Sequence, residues 1–299
     1  MNRAGKLHAL LSTARIANVP SVVCNVWVGV AAAWMMHPVG FLYVDAGRLV
    51  FAGIFLYISG NFLNDWMDRD WDRSRRPERA LPSGLFTPST YLAAGVSLAV
   101  LGLALAFSVS QGAGGVAAAI IVCVVIYTWI HKQTAWSVIP MGLCRALLPA
   151  MGAAGLSQSW EFATLTGLGL FCYIVGLSLS ARSEAVVDSS RINKLLSLVL
   201  FILAPSWVTV TWCLIDECSW KMIGALMAYL VWIALAVSWF RKPVSRHVSA
   251  LLAGIPLLDW IFLLPFLTAS FFSFGTACAL IPPVAFISAL LLQRLAPAT

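Results

Sequence analysis

Between Asn64 and Gly84 the chain concentrates groups able to hold a phosphorylated ligand. Asp65, Asp68, Asp70, Asp72 and Glu78 are five of its twelve acids, and Arg69, Arg73, Arg75, Arg76 and Arg79 are five of its nineteen bases. If a helix runs through this stretch, Asp65, Asp68 and Asp72 are spaced i, i+3, i+7 and stack on one face, whereas Asp70 points elsewhere. Three carboxylates on one stripe repel each other unless a cation neutralises them. Mg²⁺ suits that role: it takes oxygen ligands in octahedral geometry and is held by one or two carboxylates together with substrate phosphate oxygens. Asn64 adds a neutral oxygen donor one residue before the stripe. Arg75, Arg76 and Arg79 suit phosphate, because the guanidinium fork grips oxygens in pairs. A solvated loop whose acids and arginines pair with one another is the plainer alternative, but pairing alone does not require three carboxylates on a helical stripe. The run also lacks the Gly and terminal Glu of a calcium-binding EF-hand loop.

The elements that must position these groups are membrane helices. Of 299 residues, 61% are hydrophobic and 10% charged, whereas a soluble domain carries about 25% charged residues. The apolar content falls in runs of roughly 20 residues, the length a helix needs to cross hydrocarbon, and not in the ~10-residue alternation of an outer-membrane barrel. Spans are expected near 16–36, 47–64, 90–109, 114–130, 137–156, 163–180, 195–215, 221–240, 248–270 and 273–292. This predicts an all-α polytopic protein, a bundle of nine to ten transmembrane helices forming a single domain over 1–299. The segment 244–272 decides the count, because Pro243, Pro256, Pro265 and Asp259 make it either a full kinked span or partly an interfacial or re-entrant piece.

Sixteen of the nineteen Lys and Arg residues fall in the N-terminal tail and the even-numbered loops; Arg48 and Lys221 lie at the opposite ends of spans and Arg145 lies within one. The positive-inside rule therefore predicts a cytoplasmic N-terminus and cytoplasmic charged loops, in a bacterial inner membrane. The net charge of +7 is a topological signal and calls for no nucleic acid. The first span follows a basic tail but has no small-residue cleavage site before the next charge, so it is expected to be a retained helix. The seven cysteines lie mostly inside apolar runs without metal-ligand spacing and are expected to be packing thiols.

The motif Asn64-Asp-x-x-Asp68-x-x-x-Asp72, followed by Arg76-Pro-Glu-Arg-Ala-Leu-Pro-Ser-Gly84, resembles the first aspartate-rich motif of the UbiA superfamily of intramembrane prenyltransferases and its trailing segment. The resemblance is strongest over 15–190. Arg15-x-x-Asn18-x-Pro20 is similar to the start of the family's first helix, where Asn and Arg face the cavity, and Tyr127-Thr-Trp-Ile-His-Lys132 is similar to the segment ending its fourth. Met141-Gly-Leu-Cys-Arg145 resembles a feature of the EboC-like branch. The resemblance implies a UbiA-like bundle that binds a polyprenyl diphosphate through Mg²⁺ and moves the prenyl group to an acceptor inside the membrane. Where the family carries a second aspartate-rich motif, only Glu184 and Asp188 remain as acids, spaced i, i+4 and close to Arg182. Three outcomes stay open: a weakened second metal site, replacement of its charge by Arg182 on the diphosphate, or binding retained without catalysis.

The implied chemistry is ionisation of an allylic diphosphate. Asp65, Asp68 and Asp72 are expected to hold the metal and, with Lys132, to form the catalytic set. Arg76, Arg79, Arg145 and Arg182 are candidates to meet the developing charge. Arg145 lies about 13 Å into its span at 1.5 Å per residue, where an unpartnered charge costs at least ~2.5 kcal/mol; a structural pair with Glu184 or Asp188 is the alternative. Tyr127 and Tyr173 are expected either to hydrogen-bond diphosphate or to serve in the interfacial belt. Asn18 either touches the acceptor or bonds between helices. His131 is expected either at the interface or, beside Lys132, as a base; Asp259 is an intramembrane acid without an assigned role, and Gly112, Gly114 and Gly115 are expected to form an outer turn. A membrane protein that binds or carries an isoprenoid without turning it over is the alternative function. Nothing in the sequence selects an aromatic, lipid or specialised-metabolite acceptor.

Overall fold

Apolar runs of this length can satisfy their backbone polar groups in hydrocarbon only as helices. The computed structural model describes residues 3–36, 43–156, 160–185, 191–214, 220–264 and 272–296, and among them no strand occurs. A short helix α1 (Arg3–Thr13) and a 3-10 turn (Ile16–Asn18) lead into α2 (Val19–Met36). Then follow α3 (Tyr43–Arg75), α4 (Pro88–Val109), α5 (Gln111–Ile130), α6 (Val138–Leu156), α7 (Trp160–Ala185), α8 (Arg191–Leu214), α9 (Trp220–Ser238), α10 (Val244–Ala253), α11 (Ile255–Leu263) and α12 (Phe272–Leu292). Nine stretches of the described residues are long and apolar enough to cross a membrane, the ninth being α10 and α11 together, Val244–Leu263.

Two expected elements differ. The second span does not stop near residue 64, because α3 carries on to Arg75 through the whole aspartate stripe. The glycines after residue 111 form no turn. Ser110 alone breaks the chain between α4 and α5: its Oγ accepts from the Ala113 N–H (3.0 Å) and donates to the Ala154 carbonyl (2.8 Å), capping α5 and tying it to α6.

Two buried apolar clusters meet on α2. One joins α2, α3, α5 and α6 through residues such as Val26, Leu49, Leu56 and Met151. The other joins α2 to α7 through α12 around Tyr173, Phe201, Tyr229 and Phe262. Helices in lipid gain nothing from hiding apolar surface from one another, so close backbone approach must hold them. The tightest approach is α2 against α6, where a Cβ built on Gly29 falls on the Pro149 carbonyl oxygen and one built on Gly152 falls on the Val26 carbonyl oxygen.

The ninth span is broken at Gly254, with Pro256 following in the first turn of α11. Proline has no N–H to offer the preceding turn. Side chains from neighbouring helices meet the carbonyls of this stretch: Trp232 Nε1 donates to Ala250 (2.8 Å) and the Tyr173 hydroxyl to Leu251 (2.6 Å).

Candidate active site

The C-terminal end of α3 presents Asn64, Asp68 and Asp72 as buried polar residues on one face, with Asp65 partly covered beside them. Asp70 points to solvent, where it lies 3.7 Å from Arg69 and 3.6 Å from Arg73. The segment after α3 then folds back in tight turns. Arg76 N–H bonds to Asp72 O, Ser83 N–H to Arg79 O and Leu85 N–H to Ala80 O. The reversal needs Gly84 at φ +73°, a left-handed conformation natural to glycine. Ala80 anchors it in a small cluster with Ala14, Phe62 and Tyr91.

This turn returns Arg79 to the stripe. Its Nη1 lies 2.8 Å from Asp72 Oδ2 and 3.2 Å from Asp65 Oδ1, so one guanidinium bridges two of the three acids. Asp68 is served from α5. Lys132 Nζ sits 2.6 Å from its Oδ1 and 4.0 Å from the Trp71 ring centroid, a cation–π contact that steers the ammonium. His131 Nε2 approaches the other oxygen at 3.2 Å, Asn64 Nδ2 donates to it at 3.3 Å, and the Tyr127 ring packs on His131 at 5.1 Å.

Above this charged mouth lies a cavity of about 310 Å³. Its rim carries Arg15, Asn64, Arg76, Arg79 and Tyr127, its middle Asn18, Tyr57 and Arg145, and its far wall apolar side chains such as Leu56, Ile120, Leu148 and Leu177. Asn18 Nδ2 donates to the Tyr57 hydroxyl at 3.0 Å. Arg15, at the rim, holds a left-handed backbone (φ 46°, ψ 52°), a strained conformation for a residue with a Cβ.

Of the residues singled out in the sequence, Asn18, Asn64, Arg76, Arg79, Tyr127 and Arg145 line this one cavity, and Asp65, Asp68, Asp72 and Lys132 are joined to its mouth by the ion pairs above. Tyr173 and Arg182 are not among the lining residues. Tyr173 is fully buried and spends its hydroxyl on Leu251 at the broken span. Arg182 donates to Ala135 O (3.1 Å) and Ser137 Oγ (2.9 Å), tying the end of α7 to the loop before α6. The Glu184 side chain and Asp188 lie outside the described residues, and with them the second acidic motif and its pairing with Arg145. Sequence reasoning missed the contact of His131 with Asp68 and left without a role Asp259, Ser21 and Asn25, which hold Arg145.

Tyr173→Phe tests this placement. Removing the hydroxyl deletes one of two hydrogen bonds on the buried Leu251 carbonyl, which keeps the Gly254 N–H at 3.0 Å, so the variant is expected to lose about 0.5–1.5 kcal/mol of stability, seen as a lower thermal midpoint in detergent. The affinity for any prenyl diphosphate should stay unchanged; a weakened affinity would return Tyr173 to the site.

The donor set suits a hard divalent cation. The stripe itself offers carboxylate oxygens, and Asn64 Oδ1 is buried without a hydrogen-bond partner among the described residues, the orphaned acceptor a cation or its bound water would engage. Among the described residues no three acids already stand together as a metal cage. The carboxylates instead hold Arg79 and Lys132, and a metal shared with phosphate oxygens needs only one or two of them.

A helical membrane bundle with paired acids and bases at the mouth of a deep apolar cavity is built to hold an amphiphile by an anionic head. The profile of the UbiA prenyltransferase family matches residues 25–297. The chain belongs to that family and, with it, to the prenyltransferases. A protoheme IX farnesyltransferase from Aeromonas salmonicida is 27% identical over 252 residues, 77% of this chain and 85% of that protein. A digeranylgeranylglyceryl phosphate synthase from Thermococcus gammatolerans is 37% identical over 94 residues, 30% of this chain and 34% of that protein. The solved structure of a digeranylgeranylglyceryl phosphate synthase in membranes shares the fold at a TM-score of 0.59 and 17% identity, covering 98% of each chain. A UbiA homologue from Archaeoglobus fulgidus bound to DMAPP and Mg²⁺ shares it at 0.52 and 11% identity, covering 95% of this chain and 99% of that one.

Proposed function

We propose that this protein transfers a prenyl group from a polyprenyl diphosphate to an acceptor within the membrane, with Asp65, Asp68 and Asp72 holding Mg²⁺. The observation that carries the reading is the junction at the cavity mouth, where Arg79 and Lys132 neutralise three carboxylates at the edge of an apolar chamber. Mg²⁺ bound to those carboxylates supplies charge neutralisation for the departing diphosphate. Arg79 and Lys132, released from the acids, turn to phosphate oxygens, and Arg76 and Tyr127 close the rim around them. The far wall excludes water from the allyl cation and takes the chain.

The protein acts as one unit over 1–299, in a bacterial inner membrane with the cavity mouth cytoplasmic, as its loop charges favour. Met141 and Arg145 both line the cavity, which supports placement in the EboC-like branch. The sparse acids of the second motif favour one competing reading, a carrier that binds without turnover.

Incubating the purified protein with labelled C10, C15 and C20 diphosphates, Mg²⁺ and a lipid extract separates the two. The expected result is Mg²⁺-dependent release of diphosphate with label moving into a new lipid. Tight binding without release at every chain length would leave the carrier.

A further inference from the structure

The cavity holds a further cation, set deeper along α3 than the carboxylate stripe. Arg145 lies on α6, buried, with its guanidinium 5.2 Å from the Tyr57 ring. Along α3, Tyr57 precedes Asp65 by eight residues and Asp68 by eleven, about 12 and 16 Å at 1.5 Å per residue. The Tyr57 side chain also leans toward the start of its helix, away from the stripe. That rise along α3 exceeds the length of a diphosphate group and sets the level of Arg145 apart from the carboxylate stripe.

Arg145 is fixed from behind. Its Nη1 donates to Ser21 Oγ (3.0 Å) and to Asn25 Oδ1 (2.9 Å), and Asn25 Nδ2 donates in turn to Asp259 Oδ2 (2.7 Å). The Asn25 amide is thus aligned by a cation at its oxygen and a carboxylate at its nitrogen. Asp259 is fully buried, and its Oδ1 has no hydrogen-bond partner among the described residues. Among those residues Arg145 makes no direct ion pair. A buried acid within an apolar span is costly unless it balances a charge, and the charge it faces through Asn25 is Arg145. With one nitrogen spent on neutral oxygens, the rest of the guanidinium fork faces a chamber walled by Leu56 and Leu148. A desolvated fork of this kind binds an oxyanion bidentately.

We propose that Arg145, positioned by Asn25 and Asp259, is a second oxyanion site, and that it takes a carboxylate or phosphate group carried by the prenyl acceptor. The assignment to the acceptor rests on the rim being the donor diphosphate site. It narrows the acceptor to an anionic amphiphile, whose reacting carbon then lies between Arg145 and the rim.

The test uses the full chain in nanodiscs and isothermal titration calorimetry. The donor site is first filled with Mg²⁺ and geranyl thiolodiphosphate, which does not ionise readily. The anion site is then probed with 3-(4-hydroxyphenyl)propionate and with sn-glycerol 1-phosphate, and with their neutral counterparts, the propionamide and glycerol. Wild type is expected to bind one of the two anions more tightly than its neutral counterpart, and which one it binds identifies the acceptor's charged group. Arg145→Gln and Asp259→Asn should each weaken that binding about tenfold or more, the scale of a lost charge-assisted hydrogen bond, with thiolodiphosphate affinity within about twofold of wild type. If the single variants fail to fold, the double variant Arg145→Met with Asp259→Leu removes both charges together, a change that buried ion pairs often tolerate.

Equal binding of anion and neutral counterpart by wild type overturns the proposal, as does anion affinity unaltered in the variants. A parallel fall in thiolodiphosphate affinity shows that Arg145 serves the donor and also overturns it. Wild type that takes the anion but not the thiolodiphosphate keeps the oxyanion site and removes the donor reading instead.

Discussion

Asp68→Asn is expected to lower Mg²⁺-dependent diphosphate release by about 10²–10³-fold, the range seen when one preorganised electrostatic group is removed. Asparagine keeps the size of the side chain and removes its charge. Asp68 receives Lys132 at 2.6 Å and lies beside Asn64 and His131, so the substitution takes the hard anionic donor from the centre of the site and leaves the ammonium uncompensated. Lys132 is 29% exposed and can turn to water, so the thermal midpoint should move little. Asp70→Asn is the matched comparison: Asp70 is 68% exposed and, among the described residues, pairs only with Arg69 and Arg73 across 3.6–3.7 Å, so wild-type release is expected. Equal rates for the two variants, measured with labelled prenyl diphosphate, would remove the carboxylate stripe from the mechanism.

Gly152→Val is expected to prevent folding or to cost about 3 kcal/mol or more, the upper range for overpacking a close-packed interface. A Cβ at this position meets the Val26 carbonyl oxygen and the Val30 amide of α2, and the reciprocal Gly29 faces the Pro149 carbonyl of α6. Backbone stands against backbone, and no flexible side chain is present to yield. The cavity wall depends on this crossing, since α6 carries Arg145 while α2 carries its partners Ser21 and Asn25. Gly47→Ala provides the contrast: no atom lies within 4 Å of its added Cβ, and in a helix interior alanine gains roughly 0.5–1 kcal/mol over glycine. Thermal midpoints and the monodisperse fraction in detergent measure both; similar values for the two variants would mean that α2 and α6 do not meet so closely.

The charged mouth was legible because its acids lie within one turn-by-turn stretch. The i, i+3, i+7 spacing of Asp65, Asp68 and Asp72 needs only helical periodicity to become a face, and α3 supplies it by running to Arg75. The return of Arg79 to that face depends on a chain reversal at Gly84, which a list of arginines does not contain. His131 gave no local sign of its partner, because Asp68 lies 63 positions away. Asn25 and Asp259 are separated by 234 positions, so their pairing exists only once α11 has packed against α2. Tyr173 misled for a related reason: its hydroxyl is taken by the Leu251 carbonyl beside the Gly254–Pro256 break, a partner 78 positions away that only tertiary structure supplies. The outer glycines misled because glycine is as compatible with a crowded helix contact as with a turn, and Gly114 packs against Phe107.

The 33 residues of α3 span about 50 Å at 1.5 Å per residue, some 20 Å more than the ~30 Å hydrocarbon core. A single unbroken rod therefore carries both the apolar wall and the carboxylates, and fixes the distance between them. A prenyl diphosphate dissolved in a bilayer already rests with its head in water and its tail in oil. The long helix reproduces that boundary inside the protein, so the ligand exchanges lipid for protein without turning over or drawing its charges through hydrocarbon.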